Sequence, residues 1–226
     1  MHWSRFWLAL VLVPVLARTS VDTDAPTKQA HPKGDGPTFH KSGKKLKRTA
    51  EGMNAQDATA FMREQLHMDN VEAVRSALQH GADINHKGEG DQTPLMFAVL
   101  RGQYEMAEML LSNTPGPDLS IGEQDGYTPV HGAAFQGRPN IMRLLLQHGM
   151  NPSDRHKDGY TPLHRACWGK DPRHTDVARV LLEEAHVSAN ELATDGKTPL
   201  EMATKSNPAT AALLRQHGAV MNRREL

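Results

Sequence analysis

A short phrase, Thr-Pro-aliphatic, returns four times along this chain, beginning at Thr93, Thr128, Thr161 and Thr198, at intervals of 35, 33 and 37 residues. An alanine follows each threonine by five positions: Ala98, Ala133, Ala166 and Ala203. Recurrence at this period means a stack of similar supersecondary units, each sealed only by its neighbours. Composition agrees, because 38 % hydrophobic and 5 % aromatic residues suit a thin Ala- and Leu-based stack better than one large core.

Each unit can be read physically. The threonine hydroxyl caps a helix by accepting an orphan backbone N–H. The proline at the first turn loses no hydrogen bond and presets φ. The small alanine lets two helices approach closely. Gly102, Gly137 and Gly169 mark a break, after which a second helix carries an apolar stripe. That stripe is Met106, Leu110 and Leu111 in one unit and Ile141 with Leu144, Leu145 and Leu146 in the next. Val177, Val180, Leu181 and Leu182 form it in the third, and Leu213 and Leu214 in the last. Gly81, Gly149 and Gly218, each preceded by histidine (His80, His148, His217), read as helix stops that tolerate positive φ. These histidines favour a capping role at the helix dipole. His131 and His164 sit beside Thr-Pro turns and read as turn hydrogen-bonders.

The hexapeptide Thr161-Pro162-Leu163-His164-Arg165-Ala166, with Thr128-Pro129-Val130-His131-Gly132-Ala133 one aliphatic swap away, resembles the core of the ankyrin repeat. The units at Thr93 and Thr198 lack the histidine, and Val71–Asn85 is similar to the second half of a further unit whose first helix is Ala55–His67. The expected fold is therefore an all-α ankyrin-repeat solenoid over 55–226, of about five repeats: 55–88, 89–122, 123–156, 157–193 and 194–226. The resemblance implies helix-turn-helix units joined by β-hairpin loops. It also implies a concave surface of hairpins and first helices, used to bind proteins and rarely to catalyse. The first unit lacks Thr-Pro and the last is shortened, as end caps are. Two irregularities are expected. One is Thr114-Pro115-Gly116-Pro117, where a His-Gly stop belongs. The other is the third unit, which carries about three inserted residues between its helices in Gly169–Asp176 and has Ala185 in place of the stop glycine.

The residues before 55 read differently. Met1–Arg5 carries one positive charge, Phe6–Ala17 is uncharged and mostly aliphatic, and Val15-Leu16-Ala17 fits a signal-peptidase site. Residues 1–17 are expected to be a secretory signal peptide cleaved after Ala17, too short to span a bilayer as a helix. An uncleaved anchor or an organelle-targeting leader is the alternative. The expected compartment is the secretory pathway, lumenal or secreted; without cleavage the chain would be membrane-anchored or cytoplasmic. Arg223-Arg224-Glu225-Leu226 has the last two residues of a retrieval signal but not the acidic residue before them. Residues 18–54, rich in Pro and Gly with eight Lys/Arg against four Asp/Glu, are expected to form a disordered basic linker. Its run Lys41, Lys44, Lys45, Lys47 and Arg48 suits weak contact with an anionic membrane or simple solvation, and no nucleic-acid partner is expected. The body, 55–226, is acidic, with seventeen Lys/Arg against twenty-two Asp/Glu.

By alignment of the repeats, the exposed positions of the concave face are Leu100, Arg101, Tyr127, Phe135, Gln136, Tyr160, Trp168 and Lys205. Four of the eight aromatics outside the leader fall there. Exposed aromatics beside Arg and Gln have the composition of interface hot spots, so this face is expected to bind a protein. The alternative is that Tyr127 and Tyr160 pack on neighbouring hairpins while Phe135 and Trp168 pack on each other. Enzyme chemistry has little to rest on. Cys167 lies three residues from His164, but it takes the place of Ala134 in the preceding unit, and no acid or oxyanion donors accompany it. No histidine pair has metal-ligand spacing on one helical face, and one cysteine builds neither a disulfide nor a thiolate metal site. A monomer without metal or cofactor is expected.

Overall fold

A computed structural model describes residues 50–123 and 126–222. The expected signal peptide, most of the basic linker including Lys41–Arg48, and the C-terminal Arg-Arg-Glu-Leu lie outside the described residues. Among the described residues ten α-helices follow one another as five antiparallel pairs: α1 (Ala55–His67) with α2 (Val71–Gln79), α3 (Pro94–Arg101) with α4 (Tyr104–Leu111), α5 (Pro129–Phe135) with α6 (Pro139–Gln147), α7 (Pro162–Trp168) with α8 (Pro172–Arg179), and α9 (Pro199–Ser206) with α10 (Pro208–Gln216). Each helix packs on its pair partner and on its equivalents in the flanking pairs, so first helices stack on first helices and second on second. The interior is continuous, running from Met62 through Met106, Leu110, Met142, Leu145 and Leu181 to Leu214, each fully buried. The four repeat alanines are buried at 0 % exposure, so any larger side chain there would force the stacked helices apart.

The helix starts obey the capping logic with one variation. The Thr93 and Thr198 hydroxyls accept from the backbone N–H of Met96 and Glu201, at 3.2 and 3.3 Å. In the two repeats with histidine, the threonine turns to the ring instead: Thr161 Oγ1 lies 2.9 Å from His164 Nδ1, and Thr128 Oγ1 2.8 Å from His131 Nδ1. The far ring nitrogen then crosses to the next repeat. His131 Nε2–H donates to the Tyr160 carbonyl and His164 Nε2–H to the Lys197 carbonyl, both at 3.2 Å. One imidazole thus ties its own turn to the following hairpin.

The hairpin loops are short, and no strand occurs among the described residues. Each closes with one bond across five residues: Gly88 N–H to Gln92 O, Glu123 to Tyr127, His156 to Tyr160, and Ala193 to Lys197. The tips of the last three need a left-handed residue and place Gly126, Gly159 and Gly196 there, with φ of 82°, 78° and 82°.

A second ladder runs at the other end of the first helices. A side chain at the start of each later second helix, the N-cap residue in three repeats and the third helical residue in the fourth, donates to open carbonyls at the end of the first helix one repeat earlier. Gln103 reaches Leu66 O, Arg138 reaches Leu100 and Arg101 O, His174 reaches Phe135 O, and Asn207 reaches Gly169 O. These bonds satisfy groups a helix C-terminus cannot satisfy itself.

Two expectations need correction. The body reaches back beyond residue 55: Ala50 is fully buried, its N–H donates to Ser76 Oγ at 3.2 Å, and Asn54 caps α1 through Asp57 N–H at 2.9 Å. The extra residues of the third unit do not lengthen its inter-helix turn. Gly169–Asp171 separates α7 from α8 as Gln136–Arg138 separates α5 from α6. The insertion instead extends the second helix, which continues past α8 through a π turn, Val180–Glu184, closed by Ala185 N–H to Val180 O. His186, at φ 54°, takes the left-handed stop that Gly81, Gly149 and Gly218 fill in three other units.

Candidate functional site

The first helices place equivalent residues side by side. Seven positions after each repeat threonine stand Leu100, Phe135, Trp168 and Lys205, on α3, α5, α7 and α9. The indole of Trp168 is 41 % exposed and meets the Phe135 ring edge-on at 6.4 Å and the Tyr160 ring at 5.1 Å. Phe135, Gln136, Tyr160 and Leu100 are half-buried; Arg101 and Lys205 are exposed. Arg101 lies over the Phe97 ring at 5.0 Å, and His67 meets the same ring at 4.6 Å.

Tyr127 is not on the surface. It is buried at 7 % exposure, its hydroxyl donates to the His131 carbonyl at 3.1 Å, and Arg165 from the next repeat closes over its ring. It supports the face from below. Tyr160, at the same register one repeat later, keeps part of its ring outside and donates its hydroxyl to Asp195 Oδ2 at 2.7 Å.

The residue that joins these groups is Arg165, absent from the expected set. Its guanidinium carbon lies 5.3, 5.1 and 4.6 Å from the ring centroids of Tyr127, Tyr160 and Trp168. Nη2 donates to Asp158 Oδ2 at 2.7 Å and sits 3.2 Å from His156 Nδ1. A planar guanidinium can stack and make in-plane bonds at once, which an ammonium cannot. The sequence signal was slight: a charge at the variable position of the Thr-Pro-Leu-His-x-Ala phrase, where the other repeats carry Phe97, Gly132 and Met202.

Electrostatics under the face are those of a tied structure. Burial pushes the Asp158 carboxyl up, but the Tyr160 N–H, His156 and Arg165 outweigh it and hold it below the usual carboxylate range. Burial lowers His131 and His164 to about 4, so both rings are neutral in the folded protein near pH 7. Burial also raises Glu123, in the hairpin before α5, to about 7. Cys167 is fully buried, its thiol is pushed far up by desolvation, and both ring nitrogens of His164 are occupied elsewhere. That geometry supplies no thiolate nucleophile. Among the described residues no group of three or more His, Cys, Asp or Glu is arranged to hold a metal ion, and no helix is long and apolar enough to cross a membrane.

Comparison with known proteins follows the same stretch. A family model for ankyrin repeats in three copies matches residues 115–191, and one for ankyrin repeats in many copies matches residues 60–111, together more than half of the chain. The chain is 38 % identical over 79 residues to NF-kappa-B inhibitor alpha of Gallus gallus, covering 35 % of this chain and 24 % of that protein. It is 34 % identical over 146 residues to the E3 ubiquitin-protein ligase Ufd4 of Drosophila melanogaster, covering 63 % of this chain and 5 % of that one. With Delta-latroinsectotoxin-Lt1a of Latrodectus tredecimguttatus the identity is 30 % over 87 residues, 37 % of this chain and 7 % of the toxin. The chain thus matches no more than about a quarter of the length of any of these relatives.

Proposed function

The chain belongs to the ankyrin-repeat family, and from that premise we propose that it is a non-catalytic recognition module acting in the secretory pathway, binding a protein on the face formed by its hairpins and first helices. Ankyrin repeats generally mediate protein–protein interaction, which supports the class of partner. The observation that carries the choice of face is Trp168, a large aromatic left 41 % exposed although the Phe135 and Tyr160 rings flank it. Rigid aromatics held by their neighbours contribute much contact area at little entropic cost, which is why they anchor interfaces. Leu100 and Gln136 extend the face towards α3, and Lys205 extends it onto α9. Similarity to E3 ligases covers between 5 and 26 % of those proteins' length, and the non-catalytic reading rests on the repeats themselves.

Trp168→Ala with Phe135→Ala tests this reading. Proteins retained from secretory-pathway extract by the wild-type chain should be lost from the variant, with affinity falling about tenfold or more, while thermal unfolding changes little. Equal retention combined with a large fall in melting temperature would return both rings to a packing role. The compartment has its own test: a mature N-terminus at Arg18 supports entry to the secretory route, and an intact Met1 removes it.

A further inference from the structure

We infer that the segment bound by this face is acidic, with at least one large apolar side chain among its carboxylates. The inference rests on the proposed recognition role and adds the chemistry of the partner. It comes from the distribution of charge. The first helices α3, α5, α7 and α9, with the turns that follow them, contain two carboxylates, Asp171 and Glu201. Asp171 is paired with Arg173 at 2.9 Å. Glu201 is buried and accepts from the backbone N–H groups of Thr198 and Asn222. Neither has charge to spare.

The cations of the same strip divide in two. Arg165 is held by Asp158, and Arg138 is turned onto helix carbonyls. Arg101, Lys170 and Lys205 are exposed, and none of them pairs with a carboxylate among the described residues. Body residues 55–226 are acidic overall, seventeen Lys/Arg against twenty-two Asp/Glu, so a strip with three unneutralised cations runs against the trend of its own surface. Between those cations lie Leu100, Phe135 and Trp168. A segment that places apolar side chains against these rings brings its flanking residues to Arg101, Lys170 and Lys205, where carboxylates gain and further cations lose.

A nucleic acid fits less well, although it too is anionic and stacks on aromatics. The hairpin tips bordering the strip expose Glu89, Asp91 and Asp195. A continuous phosphate chain would meet them, whereas a peptide can confine its carboxylates to the helix-end side.

Panning a displayed library of random dodecapeptides on the full-length chain tests the inference, with oligodeoxythymidylate as a second probe. The recovered peptides should carry net negative charge and at least one Leu, Phe or Trp. Their affinity should fall about tenfold on Trp168→Ala, about threefold on Lys205→Glu, and steadily between about 0.05 and 0.5 M salt. Circular dichroism of both variants should match the wild type, since both side chains are exposed. Recovery of neutral or basic peptides, indifference to Lys205→Glu, or the absence of any enriched peptide overturns the acidic segment. Peptides lost on Trp168→Ala yet not acidic would remove the chemistry and leave the face; peptides bound equally by Trp168→Ala would remove the face itself. Oligodeoxythymidylate binding as tightly as the peptides, and weakened by the same variants, would put nucleic acid in the partner's place.

Discussion

His131 and His164 each bridge two repeats with an uncharged ring, and that has a cost as pH falls. In the unfolded chain a histidine titrates near 6.5; burial lowers both rings to about 4 in the folded one. Above pH 6.5 both states are neutral and nothing is lost. Below it the unfolded chain takes up protons that the folded chain refuses, so stability declines from about pH 6.5 towards 4, by up to about 2–3 kcal/mol per ring. Glu123 works in the opposite sense: its raised value, about 7, makes the folded state the better proton acceptor from pH 7 down to about 4.5. Two histidines outweigh one glutamate, so the net slope stays acid-destabilising. His131→Asn with His164→Asn should lower stability near pH 7 by removing inter-repeat bonds, yet flatten its dependence on pH. Urea unfolding across that window reads the slope. Parallel slopes for variant and wild type would mean that the rings do not control acid sensitivity.

At the scale of elements, the helix-end ladder makes a prediction of its own. Gly102 and Gly149 both end helices at positive φ, 76° and 82°. A Cβ on Gly149 meets nothing within 4 Å, whereas one on Gly102 would stand 2.5 Å from the Arg138 guanidinium carbon. Gly149→Ala should therefore cost only the left-handed strain, about 1–2 kcal/mol. Gly102→Ala adds displacement of the guanidinium from the Leu100 and Arg101 carbonyls, about 1–3 kcal/mol more. In an Arg138→Ala background that surplus should vanish, leaving the two glycines equivalent, which a double-mutant cycle by chemical denaturation measures. A surplus that survives without Arg138 would place the strain elsewhere. The helix starts were legible because Thr-Pro is a local signal. The ladder was not, because it joins residues 37 to 39 positions apart through Gln, Arg, His and Asn, which share a donor but no motif. The extra turn of the third unit was half legible: the sequence shows surplus residues near Gly169, and Asp171-Pro172 repeats the polar-residue-then-proline start seen at the Thr-Pro helices. The register of Phe135 and Trp168 was also legible. The burial of Tyr127 was not, since it depends on Arg165 arriving from the following repeat.

At the scale of the whole chain, each helix pair is sealed by its neighbours alone, so disturbance should fade with distance along the stack. Cys167, the one thiol, reports on this. It is buried at 0 % exposure in α7, at the register of Val99, whose side chain reaches Gly132 in the following repeat, so labelling should require the fourth repeat to part from the fifth. Thiol modification under native conditions then measures that local opening, provided reclosing outpaces reaction. Leu214→Ala, in the terminal helix α10, should cost about 2–5 kcal/mol. Most of that loss should appear at the opening Cys167 reports, quickening labelling by about thirtyfold or more. Met62→Ala, in α1 at the opposite end, removes a comparable buried side chain but should quicken labelling far less, because its loss is felt first where α1 meets α2 and α3. Equal acceleration by the two would mean that all five repeats open together, and that the periodicity of the sequence does not carry over into independence of its units.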